Sequence, residues 1–283
     1  MSIKVAITAT EYPDLSLRQI FEKAKQLGVR YVELILPKNM DTSDSTLLHD
    51  LMEESGIGVA CVTPQVILNA PGADVERSQD LLVKCIHLAK ETGANLVCTY
   101  FGGNPHREHR EAIDAYVRNV GPCVREAEAM DVTLVLENEY NYEGPDATQT
   151  PEGCLEIIQA VGSPRFKLNF DTGNFHVGGT EAYPYAYQML KEHVKYIHAK
   201  NVVKYSEALH GRRTRLQIDR TTGGSCLCVS LGEGAINFEA FITRLKEDGY
   251  QGFLTIEPHT PEGDLDDTFR KGVEYLRRKG IPG

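Results

Sequence analysis

Several features that would place a chain of 283 residues at a membrane, in a secretory pathway or on nucleic acid are missing from this one. No apolar run approaches the ~20 residues a membrane-crossing helix needs, so no membrane partner is expected. The opening MSIKVAITATEYPD lacks a long apolar core, which argues against a cleaved signal. Positive charge is short: 30 Lys and Arg against 40 Asp and Glu give a formal net charge of -10. A surface of that sign repels a phosphate backbone, so no nucleic-acid partner is expected either. The cysteines at 61, 85, 98, 123, 154, 226 and 228 are odd in number, and five sit singly in apolar stretches. Cys226 and Cys228 form C-x-C without zinc-ribbon spacing or a second pair. Reduced, buried thiols and a cytoplasmic location are therefore expected. Finally, ATEYPDLS, after the first apolar run, has no glycine, where a doubly wound sheet usually carries its phosphate loop.

What is present is an alternation of two textures. Short apolar, β-branched runs occur at 3–9, 31–36, 58–63, 95–101, 132–137, 166–171, 194–200 and 252–257. Between them lie amphipathic segments at 16–27, 43–55, 75–92, 108–130, 151–161, 181–192, 237–248 and 264–279. In 75–92, Leu81, Leu82, Cys85, Ile86 and Ala89 share one helical face. Gly28, Gly56, Gly93 and Gly249 each close a helical run, as left-handed caps do. Eight strand–helix units in this length predict a (β/α)8 TIM barrel of the α/β class, for which ~250 residues is typical. No linker is evident, so residues 1–283 read as a single domain, with an insertion at about 204–230 after the seventh strand.

The last four strands end alike. VTLVLE closes on Glu137, FKLNFD on Asp171, VKYIHAK carries His198 and GFLTIE closes on Glu257. In a barrel the C-terminal strand ends converge on one face, so these four side chains would meet. Three carboxylates so placed repel one another unless a cation sits among them. Three oxygen donors and one imidazole suit one divalent ion, Mn2+ first, with Mg2+ or Co2+ next and Zn2+ as a further alternative. Alternation along the strands places Lys200 on the side of His198 and Glu139 on the side of Glu137. Lys200, Glu139, His176 in the loop after Asp171, and Tyr12 after the first strand are candidate substrate contacts. His106 and His109 are further candidates at the rim, the second better read as the first turn of a helix.

These strand ends, together with LGEGAINFEAFI (231–242) and GYQGFLTIEPH (249–259), resemble the xylose-isomerase-like TIM barrels. The nearer resemblance is to their sugar phosphate isomerase/epimerase group, which includes ketose 3-epimerases and inosose isomerases and dehydratases. The resemblance implies a single metal held by Glu137, Asp171, His198 and Glu257, with Glu137 and Glu257 also the catalytic acid/base pair. It also implies a substrate-binding arginine after the seventh strand, for which Arg212 or Arg213 is the candidate. Two departures stand out. The fifth strand reads Glu137-Asn138-Glu139 where many relatives read E-N-H, and Asn174 stands where many carry a histidine. The second to fourth strands end without histidine, which with the acidic charge sets aside a three-zinc DNA-repair nuclease.

A divalent ion polarising a carbonyl lets a carboxylate remove the neighbouring proton to give an enediolate. Returning that proton to the other face is epimerisation, and returning it to the adjacent carbon is isomerisation. The first expectation is therefore a metal-dependent isomerase or epimerase of a sugar or polyol-derived carbonyl compound. The alternative is a metal-dependent lyase or dehydratase that eliminates from the β-carbon of a keto-sugar, inosose or 3-keto-glycoside. A third reading is a non-catalytic sugar-binding subunit, against which the four ligands argue. A small carbohydrate is the expected partner, with a homo-oligomer as a further option.

Overall fold

The apolar runs are nearly continuous, without strict alternation, because a parallel barrel buries both faces of each strand. In a computed structural model, which describes residues 3–41, 44–69, 72–103, 106–140, 146–260 and 262–283, they close into an eight-stranded parallel barrel. The first half is built from β1 (Lys4–Thr8), α1 (Leu17–Leu27), β2 (Tyr31–Leu36), α2 (Ser45–Ser55), β3 (Gly58–Pro64), α3 (Val75–Glu91), β4 (Leu96–Tyr100) and α4 (His109–Met130). Next come β5 (Thr133–Glu137), α5 (Pro151–Val161), β6 (Phe166–Asp171), α6 (Thr172–Val177), α7 (Tyr187–Leu190) and β7 (Val194–Ala199). The chain then leaves the barrel for β8 (Asn201–Lys204), α8 (Glu207–His210), β9 (Gln217–Ile218) and β10 (Ser225–Val229). It returns through α9 (Phe238–Glu247) to β11 (Phe253–Ile256), the eighth barrel strand, and ends in α10 (Glu262–Arg278).

The barrel order β1-β11-β7-β6-β5-β4-β3-β2 places β5, β6, β7 and β11 side by side. The insertion after β7 is a three-stranded antiparallel sheet, ordered β8-β10-β9. A single residue, Lys200, separates its first strand from the end of β7, so it grows directly out of the barrel wall.

Local chemistry sets the helix ends. Gly28, Gly56, Gly93 and Gly249 all have φ between 68° and 71°, as expected of left-handed caps. Ser16 opens α1 with a reciprocal capping box to Gln19. The face foreseen for α3 is the buried one: Leu82, Cys85, Ile86 and Ala89 are inaccessible, with Leu81 packed at the edge. Truncating Leu82 or Ile86 to Ala there would cost about 2–5 kcal/mol. The helix expected over 181–192 is broken instead. Tyr183 is extended (φ -138°, ψ 129°) because it precedes Pro184, whose ring disfavours a helical residue before it; only Tyr187–Leu190 is α-helical.

The core has two parts. A large shell lies between strands and helices, and a small plug of Ala6, Ala60, Cys61, Leu96, Cys98, Val135, Tyr196 and Phe253 fills part of the barrel interior. The remaining inward positions are polar: Thr8, Glu33, Thr63, Glu137, Asn169, His198 and Thr255 are all buried. All seven cysteines are free and buried.

Candidate active site

Parallel strands in register bring the four strand-end residues together. Asp171 pairs with His198 across β6 and β7, and Thr255 of β11 pairs with His198. Glu137, Asp171, His198 and Glu257 each offer a donor atom within 4.8 Å of the others, and all four are buried. His198 Nδ1 lies 3.1 Å from Glu137 Oε1, 3.4 Å from Glu257 Oε2 and 3.9 Å from Asp171 Oδ2.

Asp171 is both the end of its strand and the cap of a helix. One oxygen, Oδ1, accepts from the Asn174 amide at 2.8 Å and opens α6, while Oδ2 faces the cluster. Asn138 braces it: its Oδ1 accepts from Asp171 N at 2.7 Å and its Nδ2 donates to Asp171 O at 3.0 Å. Asn174 reaches inward too, donating to Glu137 Oε1 at 3.3 Å and accepting from Lys200 Nζ at 3.0 Å. Gly173 leaves room for Lys200, since a Cβ there would stand 2.5 Å from Lys200 Cγ and Cδ.

Lys200 is the cation of the cluster, 2.7 Å from Asp171 Oδ2 and 2.8 Å from Glu257 Oε2. The approach lies off a hydrogen-bond axis, and among the described residues both carboxylate oxygens remain buried without a donor in line. Counting Glu33 below, four buried carboxyls face two cationic side chains, His198 and Lys200. The missing charge and the unsatisfied oxygens are what a divalent cation supplies, so the donor set fits one.

The electrostatics follow. Burial raises Glu137 to about 7, helped by Glu257 and Asp171 and opposed by His198. Burial also raises Glu139, with Glu137 adding to it, so this carboxyl holds its proton well above the usual range. Burial works to raise Glu257 as well, but Lys200 and His198 overcome it and hold the group well below an ordinary glutamate. For His198, burial disfavours the charge, yet Glu33, Glu137 and Glu257 together raise it well above an ordinary histidine.

Glu33 of β2 went unremarked in the sequence. It is fully buried and accepts from Thr63 Oγ1 at 2.6 Å and Tyr196 Oη at 3.1 Å, with His198 Nε2 at 2.8 Å. The signal was a lone acid inside the apolar strand YVELIL. His259 was also missed: its Nε2 stands 3.5 Å from Glu257 Oε2 and its Nδ1 2.5 Å from Glu11 Oε1.

The other candidates are placed unevenly. Glu139 lines a cavity of about 630 Å³ beside the cluster, with Thr10, Ile35, Gln65, Val66, Ile67, Tyr100 and Asp146 among the other walls. Tyr12 is turned to α10 instead, its hydroxyl donating to Asp266 at 2.7 Å and its ring stacked on Phe269. His176, on α6, faces a separate cavity shared with Asp219 and Thr221. Arg212 is exposed, and Arg213 pairs with Asp264 at 2.8 Å. The insertion arginine that reaches the barrel is Arg215, 2.7 Å from Glu11 Oε2 and 3.3 Å from the Thr260 carbonyl. His109 opens α4 and pairs with Glu156.

A closed parallel barrel with an acid–imidazole–lysine cluster at its C-terminal mouth defines the structural class. The chain belongs to the xylose isomerase-like TIM barrel family, whose sequence model matches residues 21–279. An uncharacterized protein of Methanocaldococcus jannaschii is 27% identical over 207 residues, 68% of this chain and 64% of that protein, so the match spans less than two thirds of the relative. Among solved structures, the probable 3-DHS dehydratase AsbF of Bacillus anthracis is 18% identical, with 97% of this chain and 99% of that one covered at a TM-score of 0.75. The D-allulose 3-epimerase of a Methylomonas species is 19% identical, with 98% of each chain covered at a TM-score of 0.71. At these identities the likeness is one of fold. No helix among the described residues is long and apolar enough to cross a membrane.

Proposed function

We propose that the protein is a divalent-metal-dependent isomerase or epimerase of a sugar or polyol-derived carbonyl compound. The observation that carries this reading is the convergence of Glu137, Asp171, His198 and Glu257 on one point, with buried negative charge in excess. In the proposal these four residues hold the ion, Mn2+ first by donor type, with Mg2+, Co2+ and Zn2+ as alternatives. A bound cation would act as Lewis acid on the substrate carbonyl.

The side chains divide the proton work. Glu257, kept ionised by Lys200 and His198, is the base that removes the proton next to the carbonyl. Glu137, the second carboxylate of the cluster, is the partner that returns a proton to the other face or to the neighbouring carbon. Lys200 fixes the carboxylate of Glu257 and offers a donor to a developing oxyanion. The adjoining cavity, at about 630 Å³, has room for a sugar ring and a substituent.

A lyase or dehydratase is the second reading, and Glu139 favours it. A half-buried carboxyl that keeps its proton and lines the cavity is suited to protonating a departing hydroxyl or alkoxide. The fold it shares with a probable dehydratase is compatible with that outcome. The buried, free cysteines fit the reducing cytoplasm.

Proton NMR in D2O against ketoses, inososes and 3-keto-glycosides tests both. Exchange of the proton next to the carbonyl for deuterium with no loss of water or an aglycone marks the isomerase or epimerase, and such a loss marks the lyase. A metal-loaded protein that exchanges no proton across the panel would sink the proton-transfer reading.

A further inference from the structure

Resting on the metal site just proposed, the geometry points to Glu33 as the positioning residue that fixes the tautomer and aim of His198 toward a divalent cation. Glu33 lies on β2, across the barrel from β6 and β7, and has no exposure to solvent. Three donors converge on its carboxylate: Thr63 Oγ1 on Oε1 at 2.6 Å, then Tyr196 Oη at 3.1 Å and His198 Nε2 at 2.8 Å on Oε2. Tyr196 is free to donate because its own oxygen accepts from Thr255 Oγ1 at 2.6 Å.

A carboxylate only accepts, so the Nε2 that faces it carries the ring proton. On the other side of the ring Nδ1 faces Glu137, Glu257 and Asp171, whose oxygens lie 3.1, 3.4 and 3.9 Å away, so Nδ1 is the nitrogen that would give up its proton to a cation held among them while Nε2 keeps its own against Glu33. Asn169 Nδ2 stands 3.3 Å from both ring nitrogens and so does not choose between them. Glu33 is the group that does. An acceptor behind a ligating imidazole holds the ring in one orientation and makes the ligand nitrogen more basic. Burying an unpaired carboxylate is costly, and Glu33 is compensated by Thr63, Tyr196 and His198.

The test is a Co2+ titration followed by visible absorption, on wild type, Glu33→Gln and Glu33→Leu, with metal-free melting measured in parallel. Glu33→Gln removes the charge, and Glu33→Leu removes the acceptor as well. The expected result is a loss of Co2+ affinity of roughly 10-fold for the first and up to about 100-fold for the second. In Zn2+-loaded wild type, histidine nitrogen NMR should report His198 protonated on Nε2 and ligating through Nδ1, and Glu33→Leu should lose that signature. Should Glu33→Leu not fold, Glu33→Gln and Tyr196→Phe carry the comparison, with Tyr196→Phe the milder. Wild type that takes up no Co2+ refutes the metal site itself. Wild type that binds, with variants binding equally tightly or with an unchanged nitrogen signature, overturns the role given to Glu33 and leaves the metal site standing.

Discussion

On the β5, β6, β7 and β11 side of the barrel mouth, Glu137, Asp171, His198, Lys200 and Glu257 are all buried and each is held by more than one neighbour. On the β1–β4 side the walls are Thr10, Ile35, Gln65, Val66, Ile67 and Tyr100, around open space. Ile67 alone is 52% exposed there, large and apolar on a cavity wall. One half of the mouth is a tight polar network whose geometry is over-determined. The other is a mixed surface that can be reshaped without touching that network. In the proposed function the first half sets the reaction and the second chooses which molecule undergoes it, a division the barrel allows because strands set one and loops the other.

The largest effect that would test this division is expected from Glu257→Gln. Proton exchange into D2O should fall by about a thousand-fold or more while metal content is largely kept. Wild-type exchange in that variant would remove the polar half from the chemistry. Next comes pH. Glu137 must lose a proton to bind a cation, so metal affinity should drop by about tenfold per unit below about 7. The sign for stability runs the other way in metal-free protein. A carboxyl raised in the folded state contributes stability below its unfolded value that is lost as pH rises through about 7. The melting-temperature gap between metal-loaded and metal-free protein should therefore widen from about pH 5 to pH 8. A constant gap would contradict the assignment.

A smaller change is expected from Ile67→Ser on the open side. Losing an exposed apolar contact is worth about 1 kcal/mol, so KM should rise several-fold with kcat nearly unchanged. A fall in kcat equal to that of Glu257→Gln would erase the distinction between the halves. The least is expected from Arg215→Ala, which loosens the insertion from Glu11. With the arginine side chain 43% exposed, the melting temperature should fall by about 2 °C. No change at all would mean the contact does not hold the insertion down.

The barrel was legible because each unit repeats its own start and stop. The cap glycines and the α3 face needed only local rules. The polar cluster was legible as well, since Glu137, Asp171, His198 and Glu257 each interrupt an apolar run at a matching place. Glu33 was not, because β2 is buried on both faces and no periodicity says which way a lone acid points. Nor was Arg215 distinguishable from Arg212 and Arg213. The path of the insertion depends on pairing between β8, β9 and β10, and neither β9, only two residues long, nor the polar stretch around it carries a pattern. The helix α6 escaped notice because its six residues are too few for a period to form. Its first turn also answers how one aspartate does two things: Oδ1 caps while Oδ2 faces the site.

The seven buried thiols have a practical corollary for anyone wishing to label the insertion. With every native cysteine buried, and burial pushing Cys85 and Cys228 up to about 12, the native protein offers maleimide reagents almost nothing to attack. Leu209, on α8 of the insertion, is 81% exposed. A Leu209→Cys variant would therefore take a single fluorescent label without any need for a cysteine-free background. Only Lys200 separates the strand that carries His198 from β8, so a dye at that position would sit on a unit that grows directly out of the wall of the candidate site.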